Sequence, residues 1–279
     1  MCGGSIKKLL VTVFGFFFLQ SAFAKEVVKL STGEWAPYIS ENLEGKGILS
    51  QITSEAFAAK NIDVTFDFFP WGRATQLSKS GEMDGTLAFV KLAEREPFYF
   101  FTDPVYVGRY AFFHLQSFDL KWKAFPDLKD VTIASTIGFG GMGDAFMKAE
   151  KDGVIKVLRL SSDTQSFNML MAKRAEAVPS DVEVGYVLAR KLYGKESAQL
   201  THDPNYITVS EYRLAISKKR KDGQALVNKF NEGLAMIRKS GRYDEILRTW
   251  YERPIYKEAV PNEYLQATHP LKTKKIGKK

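Results

Sequence analysis

Short runs of strand character alternate with stretches of helical period from Val27 onward, and that order leaves few architectures open. Residues 27–31 read as a strand, and 47–60 read as a helix with Ile48, Leu49, Ile52, Ala56 and Phe57 at helical spacing. Val64-Thr65-Phe66-Asp67-Phe68 alternates apolar with polar residues, Pro70 stops it, and a short helix carries Trp71, Ala74 and Leu77 on one side. Strand resumes at 85–90. Strands taking turns with helices predict an α/β layer with a largely parallel sheet.

A long strand-like stretch, 105–115, runs into a loop rich in Lys, Trp and Pro at 121–128, after which a second α/β series opens. It reads as a strand at 131–135, a helix from about Asp144, a strand at 154–160, a helix through Phe167, Leu170 and Met171, and a strand at 175–178. Residues 207–216 then read as a strand leading back. A helix at 225–239 has Leu226, Phe230, Leu234 and Ile237 on one face, Gly241 ends it, and 243–251 forms another. No internal repeat interrupts this order.

At the N-terminus Lys7 and Lys8 precede an apolar run, 9–19, followed by Gln20, Ser21 and the small-residue pattern Ala22-Phe23-Ala24. This is the layout of a secretory signal peptide cut after Ala24, which predicts a periplasmic protein. A membrane anchor needs about 20 apolar residues, more than the run supplies. The only cysteine, Cys2, precedes that run and leaves with it, so the mature chain has no disulfide, thiol nucleophile or cysteine metal site.

Loss of residues 1–24 removes two of 40 basic side chains, leaving 38 against 32 acidic ones, a net +6. That mild excess is not a nucleic-acid signature. Part of it lies in Lys272, Lys274, Lys275, Lys278 and Lys279, and 266–279 reads as a solvated, disordered tail. The 255 mature residues exceed one domain of roughly 100–150, so two lobes are expected.

Six landmarks follow one another in order: Trp35-Ala36-Pro37-Tyr38; Ser80-Gly81-Glu82-Met83-Asp84-Gly85; Glu94-Arg95 with Phe101-Thr102-Asp103-Pro104-Val105-Tyr106; Asp127-Leu128-Lys129-Asp130; and Gly241-Arg242-Tyr243 through Trp250. Over nearly the whole mature chain this order resembles the family-3 bacterial solute-binding proteins, the type-2 periplasmic binding fold of polar amino-acid importers. Phe69-Pro70-Trp71-Gly72-Arg73-Ala74 resembles a subfamily whose members often carry no assigned substrate. The resemblance implies an α/β fold of two lobes, each a mostly parallel sheet flanked by helices, joined by two crossing strands. Lobe one would comprise 25–112 and 212–265, lobe two 113–211, with the ligand cleft between them. The implied function is capture of a small polar solute, an amino acid or related carboxylate, for an ABC importer whose permease is the partner. A monomer without cofactor is expected. The alternatives are a ligand sensor for a signalling receptor and a dehydratase-like enzyme on the same fold.

The resemblance also assigns residues. Arg95 would grip a ligand carboxylate, for which the planar guanidinium fork is suited because it makes two parallel charge-assisted hydrogen bonds. Ala88, Phe89, Val90 and Leu92 stand where the family usually supplies hydroxyl donors, so such a carboxylate would rely on Arg95 and backbone amides. Asp181 would pair with a ligand ammonium, and it equally suits an N-cap for a helix starting at Val182. Trp35 and Trp71 would wall the pocket, with Tyr38 beside the first; Arg73 and Glu34 are near enough in sequence to point inward.

Gly138-Phe139-Gly140-Gly141-Met142-Gly143, with Asp163 about 20 residues on, formally matches a dinucleotide fingerprint. It also agrees with the family's own glycine turn, in which Gly138 and free amides at a helix N-terminus would hold an anion. His114, His202 and His269 lack metal-ligand spacing and read as structural. Among acids, Glu34, Asp181 and Asp84 are the only candidates for acid–base work.

Overall fold

The computed structural model describes residues 25–137 and 142–269. In the first lobe, β1 (Glu26–Thr32), α1 (Ile48–Ala58), β2 (Ile62–Phe68), α2 (Trp71–Ser80) and β3 (Gly85–Phe89) form a parallel layer. β1 lies between β2 and β3, in register from Glu26 opposite Ile62 to Thr32 opposite Phe68. The short β4 (Tyr99–Phe101) follows, and β5 (Tyr106–Leu115) leads into the second lobe.

The second lobe contains β6 (Thr132–Thr136), α3 (Gly143–Lys151), β7 (Lys156–Leu160), α4 (Asp163–Met171), β8 (Val178–Asp181) and α5 (Val182–Tyr193). β6 and β7 pair in parallel, and a bridge between Ile133 and Ala177 carries the layer on to β8, which lies antiparallel on β5. One strand, β9 (Leu200–Ser217), returns through both lobes. Its first part pairs antiparallel with β5, from Leu200 opposite Leu115 to Tyr212 opposite Tyr106, and its last part pairs with β3 and β4. Thus the parallel strands belong to the lobes and the antiparallel pairs to the strands that join them.

The C-terminal helices α6 (Gly223–Lys239), α7 (Arg242–Tyr251), α8 (Pro254–Lys257) and α9 (Asn262–Thr268) pack back on this frame. The expected apolar face of α6 is buried at Leu226, Phe230, Leu234 and Ile237. It meets α1 so closely that a Cβ on Gly233 would stand 2.0 Å from the Ala56 carbonyl oxygen. Phe57 and Phe230 meet edge to face at 5.0 Å, and buried Trp250 donates its indole N–H to Gln51 Oε1 at 2.7 Å. Burial of each large ring contributes about 1.5–3 kcal/mol.

Two elements depart from the expectations and a third meets one. β9 begins at Leu200 rather than 207, with Pro204 and Asn205 exposed inside it, which hides the strand from any apolar alternation. α5 begins at Val182, where the sequence offers Asp181 as an N-cap, and Asp181 does cap it. Gln266 to Thr268, expected in the tail, instead close α9, and His269 packs on buried Glu183. Residues 270–279 and the expected signal peptide lie outside the described residues. Among the described residues no helix is long and apolar enough to cross a membrane.

Candidate functional site

The parallel strands of lobe one end at a common rim. There the chain leaves β1 through Gly33-Glu34-Trp35, and Trp71, the first residue of α2, lies flat over Gly33. A Cβ at Gly33 would be 2.5 Å from the indole, so this approach requires glycine. Trp71 also packs on a cluster of Phe89, Tyr99 and Ala215.

Phe89 is placed by a bulge. Between Thr86 and Phe89 the β3 strand uses one residue more than β9 does opposite, between Ala215 and Arg213, and Ala88 takes a positive φ of 61°. Bulges re-aim side chains at strand ends. Here the Arg95 guanidinium sits 4.5 Å from the centre of the Phe89 ring, and its Nη1 donates to the Val90 carbonyl at 3.1 Å. Partial burial lowers the Arg95 pKa from its usual value. Arg95 and Trp71 therefore both border the cluster that contains Phe89. Arg73 is exposed with its guanidinium 5.2 Å from the Phe69 ring, and Glu34 is exposed and accepts from the Glu41 amide at 2.6 Å.

Asp181 lies deeper, at the join of the lobes, and is 1% exposed. As the N-cap of α5 its Oδ1 accepts from the amides of Glu183 and Val184 at 3.0 and 3.2 Å. The same oxygen accepts from the Tyr38 hydroxyl of lobe one at 2.9 Å, and Oδ2 accepts from Tyr212 at 2.8 Å. Half-buried Trp35 meets both tyrosine rings edge-on, each at 5.0 Å. Burial, aided by the charge of Glu183, pushes the Asp181 pKa up to about 7, against the opposing hydrogen bonds from Tyr212, Tyr38 and Val184. Burial likewise raises the pKa of Tyr38 and Tyr212.

A second buried carboxylate, two residues on, has no counterpart among the sequence candidates. Glu183 is 0% exposed and accepts from the hydroxyls of Tyr106 at 2.8 Å and Tyr256 at 2.9 Å, while Tyr106 and Tyr251 share a hydrogen bond at 2.8 Å. These partners come from β5, α7 and α8, so no local pattern announces them. The only sequence signal is a glutamate in the first turn of a helix, which the helix dipole favours anywhere.

Gly138 lies outside the described residues. Nearby, α3 opens at Gly143, whose φ is 82° and whose open side faces Thr208 of β9. Asp163, the acid of the fingerprint, instead opens α4 and accepts from the Thr136 hydroxyl, and burial raises its pKa. That leaves it turned to its own lobe rather than offered to a ribose. His114 is buried with Nδ1 3.0 Å from the Leu115 carbonyl, and His202 meets the Tyr186 hydroxyl at 2.9 Å, its pKa pulled down to about 4 by burial. Among the described residues no group of His, Cys, Asp and Glu is placed to hold a metal.

Two α/β lobes joined by a paired strand ribbon, with an arginine and aromatic rings at the strand ends, define the class of cleft-forming binding proteins. The chain belongs to the bacterial extracellular solute-binding proteins, family 3, which residues 29–253 match. Solved structures agree on the fold. An ancestral arginine-binding protein bound to arginine is 21% identical, with 81% of this chain and 98% of that one covered and a TM-score of 0.67. A histidine kinase sensor domain with similarity to periplasmic binding proteins is 21% identical over 82% and 97%, at 0.66. The substrate-binding protein of an amino acid ABC transporter is 22% identical over 81% and 100%, at 0.63. No curated protein matches the chain.

Proposed function

We propose that this protein is a non-enzymatic periplasmic receptor that closes on a small carboxylate-bearing solute and presents it to the permease of an ABC importer. The observation that carries this reading is that Arg95 and Trp71 both border the cluster of Phe89, Tyr99 and Ala215, an arginine and an indole together at the rim of lobe one. The guanidinium is already partly desolvated, which strengthens any carboxylate bond it makes. Trp35 supplies a further wall, Glu34 and Arg73 stand on the outer rim, and the glycine turn at Gly138 would close the site from lobe two. We place the lobe crossings between 112 and 113 and between 211 and 212, so that lobe one is 25–112 with 212–265 and lobe two is 113–211. Similarity to a transporter's binding protein supports import.

Two readings compete. Similarity to a kinase sensor domain favours a signalling role for the same closed lobes, and binding of the loaded protein to permease or to a receptor separates the two. For the enzyme, Asp84 is an unsuitable acid or base: it accepts from the Lys29 amide at 2.8 Å and pairs with Arg220 at 2.8 Å, at the end of β3 opposite Arg95. A thermal-shift screen with amino acids, carboxylates, polyamines and sugars tests the reading. A ligand at a hundred times its Kd adds about 2.7 kcal/mol of stability. Stabilisation by sugars or polyamines alone would defeat it.

A further inference from the structure

Taking the capture reading as its base, we infer that the solute is a carboxylate without an amino group, and that Tyr38 and Tyr212 set this preference by occupying Asp181. A carboxylate offers about four acceptor positions. Three donors, the Tyr38 hydroxyl and the Glu183 and Val184 amides, crowd onto Oδ1, and Oδ2 takes the Tyr212 hydroxyl, which leaves one position on Oδ2. No free space remains beside it. A Cβ on Gly108 would stand 2.4 Å from Asp181 Oδ2 and 2.3 Å from the Tyr212 hydroxyl, so the backbone of β5 fills that side. Trp35 packs on the rings of both tyrosines.

An ammonium entering a cleft loses water at three donors and needs acceptors in return, since an unpartnered buried charge is very costly. The other acids do not supply them. Glu183 is enclosed by Tyr106, Tyr256 and His269. Glu34 and Glu94 are exposed on the rim, where pairing with a cation is worth little. The cations, in contrast, are present: Arg95 lies against Phe89 and Arg73 against Phe69, both next to Trp71 in space or in sequence. The cleft thus offers anion donors and flat apolar surfaces, and its deep carboxylates, Asp181 and Glu183, are already held by donors of the protein. The class that fits is a carboxylate with a planar or apolar body.

Matched pairs sharing one carbon skeleton test this by calorimetry on the wild-type protein: L-phenylalanine with 3-phenylpropionate, and L-glutamate with glutarate. The deaminated member of at least one pair should bind ten-fold or more tighter than its amino acid. Tyr212→Phe removes the hydroxyl that Asp181 Oδ2 accepts from and should shrink that ratio several-fold. Equal or tighter binding of the amino acid by the wild-type protein overturns the inference and leaves the capture reading standing. Failure of both members of both pairs, in a protein that the wider screen shows to bind only non-carboxylates, overturns the capture reading and the inference together.

Discussion

His269 Nε2 stands 3.0 Å from Glu183 Oε1, although 86 residues separate them in the chain. The imidazole stacks on Tyr106 at 4.8 Å between ring centres, and so the end of α9 closes the polar cage around a carboxylate buried in lobe two. The C-terminal helices are a strap from α7 of lobe one to α5 of lobe two, reinforced by the ion pair between Arg190 and Glu258 at 3.2 Å.

Glu183→Ala should therefore be costly. It strands two hydroxyls, those of Tyr106 and Tyr256, and an imidazole in the interior, and removal of one partner from a buried charged network typically costs about 3–5 kcal/mol. Urea unfolding measures this; a loss under about 1 kcal/mol would show that the cage contributes nothing net.

Asp181 predicts a pH dependence with a definite sign. Its folded pKa of about 7 lies above the ordinary 3.8, so the folded state holds the proton more tightly. Its contribution is full below about pH 4 and is lost as pH rises toward and through 7. Urea midpoints of wild type and Asp181→Asn, measured from pH 4 to 8, should differ by an amount that changes steadily across this window. A constant difference would refute the assignment.

Gly108→Ala should destabilise by about 1–3 kcal/mol, the usual cost of overpacking, because both atoms its methyl meets are held in hydrogen bonds. Gly72→Ala is the contrasting change. Nothing lies within 4 Å of its Cβ position in α2, and alanine should stabilise the helix by about 0.5–1 kcal/mol. Thermal melts of the pair should move in opposite directions.

Arg95→Ala should weaken binding of the carboxylate found by screening by about 2–5 kcal/mol, measured by calorimetry, since it removes one partner of a desolvated charge pair. Its melting point should change little, as the guanidinium makes one hydrogen bond and one ring contact within the protein. An unchanged Kd would remove Arg95 from the site.

The solute should also shrink the radius of gyration in small-angle scattering, as two lobes close on it. An unchanged radius at saturation would describe a rigid receptor.

Local periodicity made much of this fold legible. Ile48, Leu49, Ile52, Ala56 and Phe57 are all buried on α1, as are Phe167 and Leu170 on α4, because a one-sided helix declares its buried face within a few turns. Hidden were features that depend on distant partners. Leu200 to His202 is held as strand by β5, just ahead of Pro204. The environment of Glu183 is assembled from residues 106, 251, 256 and 269, and nothing near position 183 foretells it. The rim is an intermediate case: the resemblance points to Trp71 and Arg95, whereas the position of Phe89, which the Arg95 guanidinium covers, depends on a bulge at Ala88 that no residue type there signals.

Because β9 is one uninterrupted strand through both lobes, their relative motion is flexure of a shared ribbon rather than rotation about a loose joint. The ladder between β5 and β9 is uneven. Between Ala111 and Phe113 two steps on β5 face four on β9, from Tyr206 to His202. This surplus length gives the ribbon a compliant stretch above the stiff run from Tyr106 to Tyr110, like a leaf spring thinned near one end. Amide exchange along β9 should then be fastest from 203 to 207 and slow from 208 to 212, a mechanical profile written along a single strand.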